Sequence, residues 1–189
     1  MESALIVSCK ERRIAFFTGM LKSISCEKIV TAETCGQARR LLLERDFDLC
    51  IIDAPLSDES GELLSRHIAA KGVCQVLLCV AGQYYDEVSA IVEDFGVITV
   101  AKPIDESLFW SALKLAKASQ SKMKRLQTEN SKLMKKIEDI RIIDRAKCLL
   151  IETQNVTEQD AHKYIEKQAM DLRITKRAVA EGIIASCER

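Results

Sequence analysis

The feature that most constrains this chain is a set of five short apolar runs near its start, each followed by a longer segment with helical spacing. The runs lack regular polar alternation, which is typical of strands that are buried on both faces of a sheet. Helices between such strands cover both faces, so we predict a doubly wound α/β domain with a five-stranded parallel sheet. Its functional crevice is expected outside the carboxyl ends of the strands. The runs are residues 4–7, 28–32, 49–52, 76–80 and 97–100.

A continuous helical pattern follows Pro103, after which glycine returns only at Gly182. A heptad register over residues 109–143 places apolar side chains at eight of its ten a and d positions, which favours a coiled coil. These positions are Phe109, Ala116, Met123, Asn130 and Ile137 at a, and Ala112, Ser119, Leu126, Leu133 and Ile140 at d. Because Asn at an a position commonly selects two strands, we predict a parallel homodimer. One long helix packed within its own chain is the alternative.

Two breaks divide the C-terminal segment into helical pieces. The first falls at residues 153–156, where Thr157 and Asp160 follow in the spacing of a capping box. The second lies before Thr175, a plausible N-cap for a last helix. The segment is therefore predicted to be a three-helix bundle whose first helix continues the coiled coil. The predicted parts of the chain are a domain at residues 1–118, a coiled coil at 109–143 and a helical domain at 138–189.

Charge is unevenly distributed along the chain, although the formal net charge is zero. Residues 1–110 contain 11 Lys and Arg against 17 Asp and Glu, whereas residues 111–189 contain 17 against 11. An excess of cations in the second part suggests that any polyanionic partner binds there. A solvated lysine-rich helix would give the same excess.

Composition excludes several other classes. The start of the chain lacks a signal peptide pattern, and no apolar run approaches the ~20 residues that a membrane helix needs, so we expect a cytoplasmic protein without membrane contact. The eight cysteines form no Cys-x-x-Cys pair, and several lie in apolar runs, as expected of buried thiols rather than disulfides. With only two histidines besides, no metal site is predicted.

Asp53 at the end of the third run, Gly61 and the pair Lys102-Pro103 after the fifth run resemble the receiver domains of two-component response regulators. The resemblance covers residues 1–118 and implies the receiver, flavodoxin-like fold. It also implies that Asp53 is the phosphoacceptor and that Lys102 steadies the phosphoryl oxygens. A sensor kinase or another regulatory protein would then be a partner.

The residues that would bind Mg²⁺ in such a domain depart from the pattern. Receivers carry an acidic pair after the first strand, and Ser8 and Cys9 stand there in this chain. Val80 replaces a hydroxyl residue, and Thr99 replaces an aromatic residue. Because Mg²⁺ neutralises charge between the acceptor carboxylate and the phosphoryl group, we expect weak Mg²⁺ binding and inefficient phosphorylation of Asp53.

The C-terminal segment contains four ordered motifs: Asp144-Arg-Ala-Lys147, Thr157-Glu-Gln-Asp-Ala161, Gln168-Ala-Met-Asp171 and Val179-Ala180. With these motifs, residues 138–185 resemble the ANTAR domain of bacterial transcription antiterminators. This resemblance implies binding to stem-loops in nascent mRNA, so that a terminator hairpin does not form. Such contacts need exposed cations for phosphates and planar groups for unpaired bases. The candidate RNA-binding residues are Arg145, Lys147, Arg173, Lys176 and Arg177, with His162 and Gln168 as weaker ones.

Two other functions fit part of the pattern. A DNA-binding response regulator would need a recognition helix for the major groove, and the C-terminal segment offers no clear example. A coiled-coil adaptor that binds only protein would use the heptads alone. No nucleotide-binding, serine hydrolase or zinc protease motif occurs, so we do not expect an enzyme.

Overall fold

The computed structural model describes residues 1–72 and 74–187 and divides the chain into two compact units, Met1–Leu126 and Gln127–Arg189. The first unit contains a five-stranded sheet whose strands all run parallel, in the order β2-β1-β3-β4-β5. The strands are β1 (Ser3–Val7), β2 (Lys28–Ala32), β3 (Leu49–Asp53), β4 (Gln75–Ala81) and β5 (Ile98–Lys102). This order is that of the flavodoxin-like doubly wound folds, so the predicted fold class is confirmed.

Helices cover both faces of the sheet because the strands are apolar on both sides. The helices between the strands are α1 (Glu11–Ser23), α2 (Cys35–Glu44), α3 (Glu62–Ala70) and α4 (Tyr85–Val92). One core contains Leu5, Cys50 and Leu78 with side chains of α2, α3 and α4, and the other contains Ile6, Ile51 and Leu77 with side chains of α1. Alternate residues of each central strand therefore enter opposite cores.

The fifth helix, α5, spans Glu106–Gln154. Its start belongs to the first unit, because Phe109, Leu113 and Ala116 are fully buried against the α1 face of the sheet. The heptad prediction placed Phe109 and Ala116 in a seam between two chains, so at these two positions it is wrong. A helix that packs on a sheet also repeats its apolar residues every three to four positions, which explains why the pattern was ambiguous.

The second unit consists of the end of α5 with α6 (Glu158–Leu172) and α7 (Lys176–Cys187). The Thr157 hydroxyl accepts the N–H of Asp160 at 3.2 Å, and the Thr175 hydroxyl accepts that of Ala178 at 3.2 Å, which confirms both predicted N-caps. The core of the unit contains Ala146, Leu150, Ala161, Ile165, Ala169, Val179 and Ala180. Met170, the next residue after Ala169, is 78% exposed and lies outside this core.

Within the part of the chain that the structure describes, no helix has both the length and the apolar character needed to span a membrane.

Candidate functional site

Asp53 ends β3 at the carboxyl edge of the sheet and is 2% exposed. Its carboxylate forms an ion pair with the ammonium group of Lys102, which ends the edge strand β5 and also donates to the carbonyl of Ala54. Parallel strands end at the same edge, so two residues far apart in sequence meet there. The structure thus brings together the two residues that the sequence assigned to this site.

Ser8 is the third side chain on Asp53. It is fully buried, its hydroxyl donates to Asp53 Oδ2 at 3.0 Å, and its Oγ accepts the N–H of Lys10 at 3.2 Å. The adjacent Cys9 is exposed. One carboxylate oxygen of Asp53 is therefore held by a cation and the other by a neutral hydroxyl group.

This set of side chains does not fit Mg²⁺. The ion prefers several oxygen ligands, of which carboxylates supply the charge, and here Asp53 is the one carboxylate of the cluster and already has Lys102 as counterion. Among residues 1–72 and 74–187, no group of three or more His, Cys, Asp and Glu side chains is placed to hold a metal ion. The sulfhydryl of Cys79, on β4 beside Asp53, stays protonated, because burial and the negative charge of Asp53 raise its pKa to about 12.

Gly61 lies eight residues after Asp53 and immediately precedes α3. Its φ is +86°, a conformation that favours glycine, and an added Cβ would lie 2.9 Å from Ile52 Cγ2. The resemblance to receivers identified this glycine, and its backbone explains why another residue does not fit.

The candidate RNA-binding residues of the second unit differ in their surroundings. Lys147 is only 15% exposed and pairs with Asp144 at 2.7 Å and Glu158 at 3.2 Å, whose hydrogen bonds raise its pKa. Arg177 donates to Asp139 and Glu181, both at 2.8 Å, and these bonds raise its pKa as well.

Lys176 pairs with Glu166 and, through this hydrogen bond, lowers the pKa of that carboxyl group. His162, one of the weaker candidates, lies 3.3 Å from the same carboxylate. Lys147, Lys176 and Arg177 thus each have a carboxylate partner within their own unit.

The other two candidates are exposed arginines. Arg145 lies on α5. Arg173 is the C-cap of α6 in the left-handed conformation, with φ +54°, and among the described residues no carboxylate pairs with it. Gln168 is half-buried. The five candidates therefore differ in their electrostatic surroundings, from the doubly paired Lys147 to Arg173, for which the described residues supply no carboxylate partner.

Three exposed residues on α6 were not selected from the sequence, namely Lys163, Tyr164 and Lys167. Tyr164 is 45% exposed, and neither lysine pairs with a carboxylate of the described residues. The signal that could have found them is the helical spacing that assigns Ala161, Ile165 and Ala169 to the core, because it places the lysines on the opposite face.

The strand order of the first unit is that of the flavodoxin-like folds, and the second unit can be compared with known families through its sequence. Residues 131–184 match the model of the ANTAR domain, and this range includes the described core of the second unit.

Similar proteins agree with this division. The chain is 29% identical over 137 residues to the transcriptional regulatory protein PdtaR of Mycobacterium tuberculosis, covering 72% of this chain and 67% of that protein. The signal receiver domain of an HD domain-containing protein from Pseudomonas fluorescens has a TM-score of 0.57 at 22% identity, covering 66% of this chain and 92% of that chain. A CheY-like receiver domain protein from Methanospirillum hungatei has a TM-score of 0.56 at 19% identity, covering 65% and 98%. These two structures identify the fold of the first unit.

Proposed function

We propose that this chain is an RNA-binding regulator of transcription antitermination, which binds stem-loops in nascent mRNA as a homodimer. It acts by binding rather than by catalysis, and in the cytoplasm, where nascent mRNA is made. The observation that carries this proposal is the ANTAR match over residues 131–184. The excess of cations after residue 110 supports it, because counterion release from phosphates drives much of RNA binding.

The dimer is supported by an unpartnered apolar stripe on α5. Leu126, Leu133, Ile137 and Ile140 are 46–58% exposed and occupy a and d positions of one heptad register. Pairing two copies of this stripe would remove these side chains from water. Two RNA-binding units in one dimer would also raise the effective concentration for a second stem-loop.

The receiver unit is proposed to work with little phosphorylation. In-line phosphoryl transfer brings two anions together, and Ser8 and Cys9 add no negative charge to recruit a metal ion between them. The pair Asp53–Lys102 would then stabilise a scaffold that responds to a regulatory protein, or to a sensor kinase at a low rate.

Competition between nucleic acids tests the proposal. The full chain is incubated with a labelled RNA hairpin pool that has a fixed stem and a randomised loop, and unlabelled hairpin RNA or duplex DNA of the same stem sequence is added at matched salt. We expect hairpin RNA to displace the label at much lower concentration than duplex DNA. Tighter binding of duplex DNA would support a DNA-binding regulator, and binding of neither would support a protein adaptor.

A further inference from the structure

The outward face of α6 combines an exposed aromatic ring with cations that pair with no carboxylate of the described residues. Lys163 and Lys167 are four residues apart, so their side chains are neighbours on the helix surface. Tyr164 lies three residues before Lys167 and is 45% exposed. Ala161, Ile165 and Ala169 bury the opposite face of the helix, so the two lysines point away from the core.

Ion pairing within the described part of the second unit involves other cations than the lysines of this face. Lys147, Lys176 and Arg177 each have at least one carboxylate partner, so a phosphate would have to displace it. Among the described residues, Lys163, Lys167 and Arg173 have none, and Arg173 caps the same helix at its C-terminal end. Lys163, Lys167 and Arg173 therefore offer three positive charges on this helix and its C-cap for phosphate contacts.

The acidic residues of α6 reduce this charge only in part. Glu158 pairs with Lys147, Glu166 pairs with Lys176, and the Asp160 carboxylate accepts the Thr157 hydroxyl at 2.7 Å. Asp171 is the remaining carboxylate, exposed near the end of the helix. Because the Asp171 carboxylate would repel phosphates, its neutralisation should have the opposite effect on RNA binding to neutralisation of the lysines.

An exposed aromatic ring beside lysines suits an unpaired base better than a base pair. Every base presents a flat face that stacks on an aromatic side chain, whereas the bases of a duplex are already stacked on each other. Tyr164 is 45% exposed, so part of its side chain is accessible for such a contact. Lys167, three residues after Tyr164, is its neighbour on the helix surface, where a phosphate flanking a splayed base would be.

We infer that the outer face of α6 is the loop-reading site for RNA: Tyr164 stacks on an unpaired loop base, and Lys163, Lys167 and Arg173 bind the phosphates beside it. This inference rests on the proposed RNA-binding function and assigns the contact to residues other than the ion-paired cations. It predicts that the unpaired loop, more than the stem, determines affinity at this face.

Binding of the hairpin pool to the full chain tests the site through four variants and one control. Tyr164→Ala should weaken binding about 10- to 100-fold, the usual effect of losing one base–aromatic stack, whereas Tyr164→Phe should bind as the wild type does. Lys163→Ala with Lys167→Ala should weaken binding to every hairpin and lower the slope of log affinity against log salt by about two units. Asp171→Asn should strengthen binding slightly. The exposed Lys22→Ala in the first unit is the matched lysine control.

A second measurement separates stacking from a structural role of Tyr164. A hairpin selected from the pool is prepared with each loop nucleotide made abasic in turn. At the stacked position, the abasic hairpin should bind wild type and Tyr164→Ala equally, since the contact is already lost. Thermal unfolding of the variant should match that of the wild type.

The outcomes distinguish the two levels of the proposal. If the wild type binds no hairpin, the RNA-binding function fails, and the site fails with it. If the wild type binds hairpins while Tyr164→Ala and the double lysine variant bind equally well, the α6 site is wrong and the RNA-binding function stands. If the wild type bound an RNA duplex of the same stem sequence, which has no loop, as tightly as it binds the hairpin, the site would also be wrong.

Discussion

At the scale of single residues, the receiver-like site shows how one neutral side chain alters the chemistry of a carboxylate. Ser8 donates a hydrogen bond to Asp53, where a carboxylate would instead add negative charge and attract a cation. Lys102 then suffices as counterion for Asp53. We therefore predict that the identity of residues 8 and 9 decides whether this edge of the sheet recruits a divalent metal.

Restoring two acids tests this argument. Ser8→Asp with Cys9→Asp should raise Mg²⁺ affinity, measured by titration calorimetry, and should speed labelling of Asp53 by acetyl phosphate, measured by intact mass. The wild type should be labelled slowly. Adding Asp53→Asn to the double variant is the control and should abolish labelling. Rapid, nearly complete phosphorylation of the wild type at Asp53 would contradict the prediction.

The sequence was informative about Asp53, Lys102 and Gly61 because their roles depend on strand ends and backbone conformation, which the apolar runs locate. It was less informative about the cations of the second unit. Arg177 is ion-paired with Asp139, which lies 38 residues earlier in the chain, and a local sequence pattern does not reveal a contact over that separation. Nor does a local pattern reveal that no carboxylate of the described residues pairs with Lys163 or Lys167.

At the scale of elements, the fifth helix shows the limit of periodicity. The five strands and both N-caps of the second unit agree with their local patterns, because burial on two faces and capping are short-range properties. A heptad pattern identifies an apolar stripe but not the surface that covers it. Phe109 and Ala116 are covered by the sheet of their own unit, whereas Leu126 and Leu133 remain exposed.

The buried Asp48 holds α5 to the start of the sheet. Lys124 Nζ lies 2.6 Å from Asp48 Oδ1, and the N–H of Glu2 donates to Oδ2. Burial alone would raise the pKa of Asp48, but the hydrogen bonds from Lys124, Glu2 and Ser3 outweigh it and lower the pKa to about 2. A lowered pKa stabilises the fold above the pKa of the unfolded chain and loses this effect as the pH falls through the folded value.

Asp48→Asn should therefore lower the free energy of unfolding by about 1–2 kcal/mol at pH 7. This value is smaller than the pKa shift alone would give, because half of the Lys124 side chain is exposed to water, which screens the ion pair. The difference from wild type should shrink as the pH falls from about 4 towards 2, the window between the unfolded and folded pKa values. Denaturant unfolding across this range measures it. The exposed Asp46→Asn is the control and should change stability little. A difference that is constant with pH would argue against the ionised Asp48.

At the scale of the whole molecule, acidic and basic character separate with the two parts of the sequence. The acidic excess lies before residue 111 and the basic excess after it, so a polyanion is attracted to one part and repelled by the other. RNA binding and signal reception can therefore use different surfaces of one chain. What joins them in the proposed function is the pairing of two chains along α5.

That pairing gives the last prediction. Leu126 and Leu133 are 53% and 58% exposed in the single chain, so replacing both by Lys leaves each unit's own core intact. In a dimer, the same substitutions would place four cations in an apolar seam, where burying unpaired charge costs far more than the packing returns. We expect light scattering to give twice the 21.2 kDa chain mass for the wild type and the single mass for Leu126→Lys with Leu133→Lys. Leu43→Lys, at an 81% exposed position on α2, should leave the mass doubled.

In the monomeric variant, the first unit should keep its thermal unfolding temperature. The variant should lose affinity for RNA with two stem-loops more than for RNA with a single stem-loop. A wild type that is monomeric at all concentrations, or a double variant that stays dimeric, would rule out the α5 seam as the dimer interface.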